Sequence, residues 1–319
     1  MKKSIAVIGQ GFVGGSIATV FAERKFKVFA YDIAGTLAEG AEWPTKQQGL
    51  PYQPKSQEEF VGACERSKDF TGVYFVCLPT PMKPDGSADV RIVASVLHAL
   101  DKIPGRKDRV AVVKSTVPPG TTASWNEKLT NLNVIFSPEF LTEANALNDM
   151  RNQDRIILGG PRPHINRVRD VFRRAFPKVP IIKTGPTTAE MVKYVTNVHL
   201  AVKVALANEF YQVCQKLDQN GLNIDYDKVI EYAMFDQRLG KTHWQVPGPM
   251  PADDTGDPAF GFGGSCFVKD INALIYEARQ LGIEPSVMCG AWEKNLEVRP
   301  QRDWEKLKGR AVSKLEEEV

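Results

Sequence analysis

Seven short apolar runs are spaced along the first 185 residues: Ile5 to Ile8, Val28 to Tyr31, Val73 to Leu78, Val110 to Val113, Asn133 to Phe136, Arg155 to Leu158 and Pro180 to Lys183. Each reads as a buried strand, and most are separated by stretches with helical spacing. A chain that alternates in this way can cover both faces of its sheet with helices, which predicts a doubly wound parallel sheet. The character changes near Gly185, beyond which apolar residues repeat at helical spacing and a mainly α-helical domain is expected. The length of 319 residues fits two domains, because a single core stops growing at about 250–300 residues. The expected boundaries are 1–185 for the sheet domain, 186–298 for the helical domain and 299–319 for a strongly charged tail, read as a solvated helix or a frayed end.

Gly9-Gln10-Gly11-Phe12-Val13-Gly14 follows the first run and opens the first helical stretch, and Asp32 ends the second run. Gly9 permits the tight turn, Gly11 lets the backbone approach a pyrophosphate, and Gly14 lets the helix pack on the sheet. The helix N-terminus offers N–H donors to phosphates. Asp32 would accept hydrogen bonds from a ribose and repel a 2′-phosphate. The α/β domain is therefore expected to be Rossmann-like and to take NAD rather than NADP.

Net charge is +3 and 25% of residues are charged, a balance that argues against nucleic acid or a membrane surface as partner. The run after Met1-Lys2-Lys3 ends at Gly9, too short for a signal peptide, and nothing reaches the ~18 apolar residues of a membrane span. The five cysteines, Cys64, Cys77, Cys214, Cys266 and Cys289, are odd in number and widely spaced, without a CxxC. That pattern argues against a disulfide framework or a metal site and for a reducing, cytoplasmic setting.

Thr187 and Glu190 have capping-box spacing, so a long helix is expected from there to about Leu217, stopped by Asn220-Gly221. Lys193 and Asn197 would share one face of it. A buried Lys193 could act as a base or stabilise an oxyanion, whereas a lone lysine is more often solvated. The stretch Gly261-Phe262-Gly263-Gly264-Ser265-Cys266-Phe267-Val268-Lys269-Asp270 puts three glycines before Cys266 and a helical pattern after it. A cysteine at a helix N-terminus tends toward the thiolate, although a small buried cysteine is the commoner role. Asp270, one turn on, would oppose a thiolate, so a cation is expected close by. Ser137-Pro138-Glu139-Phe140-Leu141-Thr142-Glu143 and Ser115-Thr116-Val117-Pro118 each follow a strand, where ligands bind in such sheets.

Together these motifs resemble the UDP-glucose/GDP-mannose dehydrogenase family from Met1 to about Asn295. The resemblance includes Asn152-x-Asp154-Arg155, Glu190-x-x-Lys193-Tyr194-x-x-Asn197, Asn208-Glu209 and Asp236-Gln237-Arg238. It implies a four-electron, NAD-dependent oxidation of a nucleotide-sugar primary alcohol to a carboxylate, with UDP-glucose to UDP-glucuronate the expected case. Cys266 would trap the aldehyde and become a thioester. Lys193, Asn197 and Asp270 would support the first oxidation, and Thr116, Glu139 and Asp270 would activate the hydrolytic water. The cofactor would meet Gly9, Gly11, Phe12, Val13, Gly14, Asp32, Thr80, Thr116 and Glu143. The sugar nucleotide would meet Glu139, Phe140, Leu141, Glu143, Lys193, Asn197, Phe262 and Gly263. The resemblance also implies a homodimer through the helical domain, with Arg238 reaching a neighbour's substrate.

Family members usually continue into a third domain that binds the UDP, so much of the uridine recognition is expected to be missing here. The segment between Arg238 and Gly261 looks long and is rich in proline and aspartate. It reads either as an inert surface loop or as a cover for the open site. Two other readings remain: a dehydrogenase for another activated sugar or a smaller alcohol, and a non-catalytic NAD-binding module that needs a partner chain.

Overall fold

A computed structural model describes residues 2–44, 53–249 and 259–314. Its sheet has eight strands: β1 (Ser4–Ile8), β2 (Lys27–Tyr31), β3 (Ala41–Glu42), β4 (Phe70–Val76), β5 (Arg109–Val113), β6 (Leu132–Phe136), β7 (Ile156–Gly159) and β8 (Ile181–Thr184), in the order β3-β2-β1-β4-β5-β6-β7-β8. All seven expected runs are strands, and the two-residue β3 is an addition the sequence did not signal. The α/β expectation holds, with one departure from an all-parallel sheet. β6 and β7 pair antiparallel, through Phe136 and Gly159. The helix between them, α5 (Ala146–Arg151), has six residues and spans about 9 Å.

Alternate residues of each strand enter separate cores, the signature of double winding. Ile5, Val7, Val73, Phe75, Val110 and Val112 face α1 (Phe12–Glu23) and α6 (His164–Ala175), represented by Phe21 and Phe172. Ala6, Ile8, Tyr74, Val76, Ala111 and Val113 face α2 (Gln57–Glu65), α3 (Arg91–Lys102) and α4 (Thr121–Lys128), represented by Phe60, Leu97 and Trp125.

The chain divides into two compact units, Met1–Thr80 with Val90–Lys193 and Pro81–Asp89 with Tyr194–Val319. A single helix, α7 (Pro186–Gln219), contributes its first turns to the first unit and the rest to the second. It ends as expected: Gly221 has φ +82°, and the Leu222 N–H reaches back to the Leu217 carbonyl at 3.2 Å. The start differs. Glu190 does not close a capping box on its own helix; its carboxylate accepts the Gly120 and Thr122 N–H groups, both at 2.7 Å, at the N-terminus of α4. Pro186 already occupies the first helical position of α7, which frees Glu190 for this tertiary cap.

In the second unit α7 packs with α9 (Cys266–Gln280) and α10 (Ser286–Val298) around Tyr194, Ala201, Val268, Ile271 and Ala291. The smaller α8 (Tyr226–Ala233) packs with Trp244 and Val246. Two expectations are corrected here. The tail is neither a solvated helix nor frayed over 299–314: Trp304 and Ala311 are buried in this core, and Met82 exchanges backbone hydrogen bonds with Ala311 and Ser313 at 2.8 Å. The apolar residues hidden among its charges decide its fate. The segment after Arg238 is also not simply an inert surface loop. Trp244 is 8% exposed, and its carbonyl accepts the Tyr226 hydroxyl at 2.6 Å. The rest of that segment, 250–258, lies outside the described residues.

Candidate functional site

In the first unit the glycine turn is built as its spacing requires. Gly9 has φ +88°, and a Cβ there would fall 2.3 Å from the Cys77 carbonyl oxygen. A Cβ on Gly14 would fall 1.9 Å from the Gly9 carbonyl oxygen, so α1 can approach the turn this closely only with glycine. Gly11 is different: a Cβ there would meet nothing within 4 Å, leaving the N-terminus of α1 open in front of Phe12 and Val13. Asp32 stands beyond β2, its carboxylate accepting the Gln10 N–H at 2.7 Å and the Ala34 N–H at 2.8 Å. Open amides and a ribose-height carboxylate fit a dinucleotide whose ribose carries no phosphate.

Beyond the C-terminal ends of β4, β5 and β6 the connecting loops are tied together. The Ser115 hydroxyl donates to the Leu78 carbonyl at 2.6 Å, and the Thr80 hydroxyl to the Thr116 carbonyl at 2.8 Å. Next to them is a buried charged group. Lys193 Nζ lies 2.8 Å from Glu139 Oε1 and donates to the Glu139 carbonyl at 2.8 Å. Burial pushes the Glu139 carboxyl up, but Lys193, the Leu141 N–H and Lys114 outweigh it and hold the group below its ordinary value. Lys114, at the end of β5, donates to Ser137 Oγ at 3.2 Å and to the Pro138 carbonyl at 3.0 Å. Burial pulls its pKa down to about 8. Phe140 lies beneath the Arg155 guanidinium, 3.9 Å from ring centre to Cζ. Leu141 is half-buried, and Glu143 is exposed at the start of a 3₁₀ turn, so the two carboxylates four apart have different environments.

In the second unit Cys266 is the first residue of α9, preceded by the turn in which Gly261 and Gly264 have positive φ. Asp270, one turn on, is 1% exposed. Asn197 Nδ2 donates to its Oδ2 at 2.6 Å, and Lys269 pairs with its Oδ1. Lys269, from the same motif, is thus the cation beside Asp270. Phe262 is buried and Gly263 partly so. Arg238 is exposed and paired with Asp236.

Of the residues singled out from the sequence, the structure brings Glu139 to Lys193 and Thr80 to Thr116 in one unit, and Asn197 to Asp270 in the other. Sequence reasoning missed Lys114 and Lys269. A lysine closing the apolar run Val110–Val113 was a readable signal for the first. Among the described residues, no group of three or more His, Cys, Asp or Glu side chains could hold a metal ion, and no helix is long and apolar enough to cross a membrane.

Residues 3–176 match the NAD-binding domain of the UDP-glucose/GDP-mannose dehydrogenase family, and residues 187–297 match its central domain. The chain belongs to that family. It is 31% identical to the UDP-glucose 6-dehydrogenase AglM of Haloferax volcanii, over 96% of this chain and 72% of that protein. It is 30% identical to the UDP-glucose 6-dehydrogenase TuaD of Bacillus subtilis, over 93% of this chain but 64% of that protein. Among solved structures, a UDP-glucose dehydrogenase from Pyrobaculum islandicum superposes with a TM-score of 0.68 at 28% identity, covering 93% of this chain and 68% of that one. The fold is also that of the Mycobacterium tuberculosis 3-hydroxyisobutyrate dehydrogenase, with a TM-score of 0.67 at 17% identity, covering 95% and 96% of the two chains. NAD is the cofactor of this family's N-terminal domain, in keeping with the open glycine turn and Asp32.

Proposed function

We propose that this protein oxidises the primary alcohol of a nucleotide sugar, UDP-glucose to UDP-glucuronate, in two steps joined by a thioester on Cys266. The observation that carries the reading is the placement of Cys266 at the first residue of α9, with Asp270 one turn away, buried and held by Lys269 and Asn197. Gly9, Gly11, Gly14 and Asp32 would hold NAD, which when bound accepts one hydride in each oxidation.

The residues divide the remaining work. A water beside Lys193 takes the hydroxyl proton as the alcohol becomes an aldehyde, and the Lys193 ammonium with Asn197 stabilises the developing oxyanion. The Cys266 sulfur adds to the aldehyde carbon, giving a thiohemiacetal. Loss of the second hydride and a proton leaves the thioester. A water positioned by Glu139, Thr116 and Asp270 attacks the acyl carbon. The carbon–sulfur bond breaks, the thiol is regenerated, and the acid departs as a carboxylate. One alcohol and one water thus yield one carboxylate, two hydrides and three protons.

The odd number and wide spacing of the five cysteines support a reducing compartment such as the cytoplasm. The second unit also exposes an apolar stripe along α7, with Val195 54%, Phe210 44% and Val213 55% exposed. We assign this stripe to a homodimer; sedimentation velocity on the purified chain returning only monomer would refute it.

The decisive measurement is NADH formed per UDP-glucose, in the wild type and in Cys266→Ser. Two NADH per sugar, with a loss of at least about 10³-fold in the variant, is the expected result. One NADH per substrate, insensitive to the substitution, would replace this reading with a two-electron dehydrogenase. NAD binding without turnover of any sugar would replace it with a binding module.

A further inference from the structure

We propose that Arg299 and Asp303, in the segment after α10, are positioning residues for Cys266: together they latch the glycine loop that presents the thiol. The inference rests on the reading of Cys266 as the nucleophile.

The loop Phe260–Ser265 is glycine-rich, with φ +63° at Gly261 and +67° at Gly264. Such a segment has many conformations, and fixing each residue costs about 1–2 kcal/mol. Its order must therefore be imposed from outside, and the structure shows how. The Gly261 N–H donates to Asn208 Oδ1 at 3.2 Å. Asn295, itself fully buried, accepts the Phe262 N–H at 2.6 Å and donates to the Phe262 carbonyl at 2.9 Å. Arg299 Nη1 donates to the Phe260 carbonyl at 3.0 Å. Asp303 Oδ2 accepts the Gly264 N–H at 3.0 Å.

Arg299 and Asp303 are one device. Arg299 Nε lies 2.6 Å from Asp303 Oδ1, and Arg299 is only 5% exposed. Each side chain thus spends one arm on its partner and one on the loop backbone, gripping it on either side of Gly261–Gly263. The seat is specific: a Cβ on Gly263 would fall 2.5 Å from Arg299 Nε, so only glycine there admits the guanidinium. Trp304 anchors the latch from behind, 2% exposed and with its ring 5.4 Å from that of Trp292. Gly264, the residue bonded to Asp303, precedes Cys266 by two positions. A nucleophile displaced by about 1 Å loses about 10²-fold in rate, so the grip on Gly264 sets where the thiol stands.

The test compares wild type with Arg299→Met and with the isosteric Asp303→Asn, which keeps an acceptor for Gly264 but drops the ion pair. Four quantities are read in the full chain: Tm, NAD affinity, kcat with UDP-glucose, and the rate at which iodoacetate alkylates Cys266, followed on its peptide by mass spectrometry. The latch predicts folded variants with NAD affinity unchanged. It also predicts kcat reduced by about 10²-fold in Arg299→Met and a Cys266 alkylation rate shifted by more than about threefold. A tail that serves only stability would lower Tm and leave both Cys266 readouts alone. Folded variants with kcat and alkylation within threefold of wild type would overturn the proposal. Should wild type form no NADH from UDP-glucose, the proposed function falls, and the alkylation comparison alone decides the latch.

Discussion

Each unit buries a carboxylate beside a lysine, and the two do it by different means. Glu139 is held by Lys193, fifty-four positions away in sequence, with Lys114 near the same group. Asp270 is held by Lys269, its neighbour in sequence, and by the Asn197 amide. The first arrangement gathers charges from three separate elements and exists only when the sheet and α7 have docked. The second is half local, since a cation is already adjacent before the helix forms. The lysines also differ in burial, with the Lys193 side chain 4% exposed and that of Lys269 13%. The first site depends on the global fold for its electrostatics, whereas the second depends on it chiefly for placing a thiol.

That contrast breaks most visibly under removal of each lysine. Lys193→Met leaves two acceptors of Glu139, its carboxylate and its carbonyl, without their buried donor. It should destabilise the chain by about 3–5 kcal/mol in urea unfolding. A loss under 1 kcal/mol would mean that Lys114 and the Leu141 N–H suffice for Glu139. A second effect concerns pH. Burial holds Lys114 at about 8 against an ordinary 10.5. Between those values the unfolded chain binds more protons than the folded one, so this group makes stability rise with pH across the window. Its full cost is present below about 8. Relative to Lys114→Met, wild type should therefore gain stability as pH rises from 7.5 to about 10, by up to about 3 kcal/mol. Parallel curves for the two proteins would refute it. The smallest effect is expected for Lys269→Met. Asp270 keeps Asn197 and Lys269 is the more exposed lysine, so the loss should be about 1–3 kcal/mol. If it equals the loss at Lys193, the distinction between the units disappears.

What the sequence made legible followed from periodicity and local chemistry. The strands Ser4–Ile8 through Ile181–Thr184 are bounded by their apolar runs, and the glycine turn announces itself because Gly9 takes a positive φ and Gly14 is required by a backbone contact with Gly9, both within a short segment. Cys266 at a helix start was readable for the same reason. The misses are all tertiary. Nothing in the run Arg155–Leu158 encodes its direction against Leu132–Phe136. Glu190 matched a local capping rule, but its carboxylate went to amides about seventy residues away. The tail's charges suggested a solvated end, but Trp304 and Ala311 outweighed them. Lys114 and Arg299 could be suspected as charges inside or beside apolar segments, yet only the folded chain says which carbonyl, carboxylate or glycine each one meets.

The carboxylate of Glu190 also bears on how such proteins can be divided and recombined. The sequence places a natural seam at Gly185, where sheet gives way to helix. A recombination event at that point would part Gly120 and Thr122 from the acceptor they share, and Glu139 from Lys193. The first two turns of α7 are thus inherited property of the sheet, whatever their secondary structure. A donor module that carries its own α4 and Glu139 must bring its own Glu190 and Lys193 with it, and the workable joint lies past Lys193.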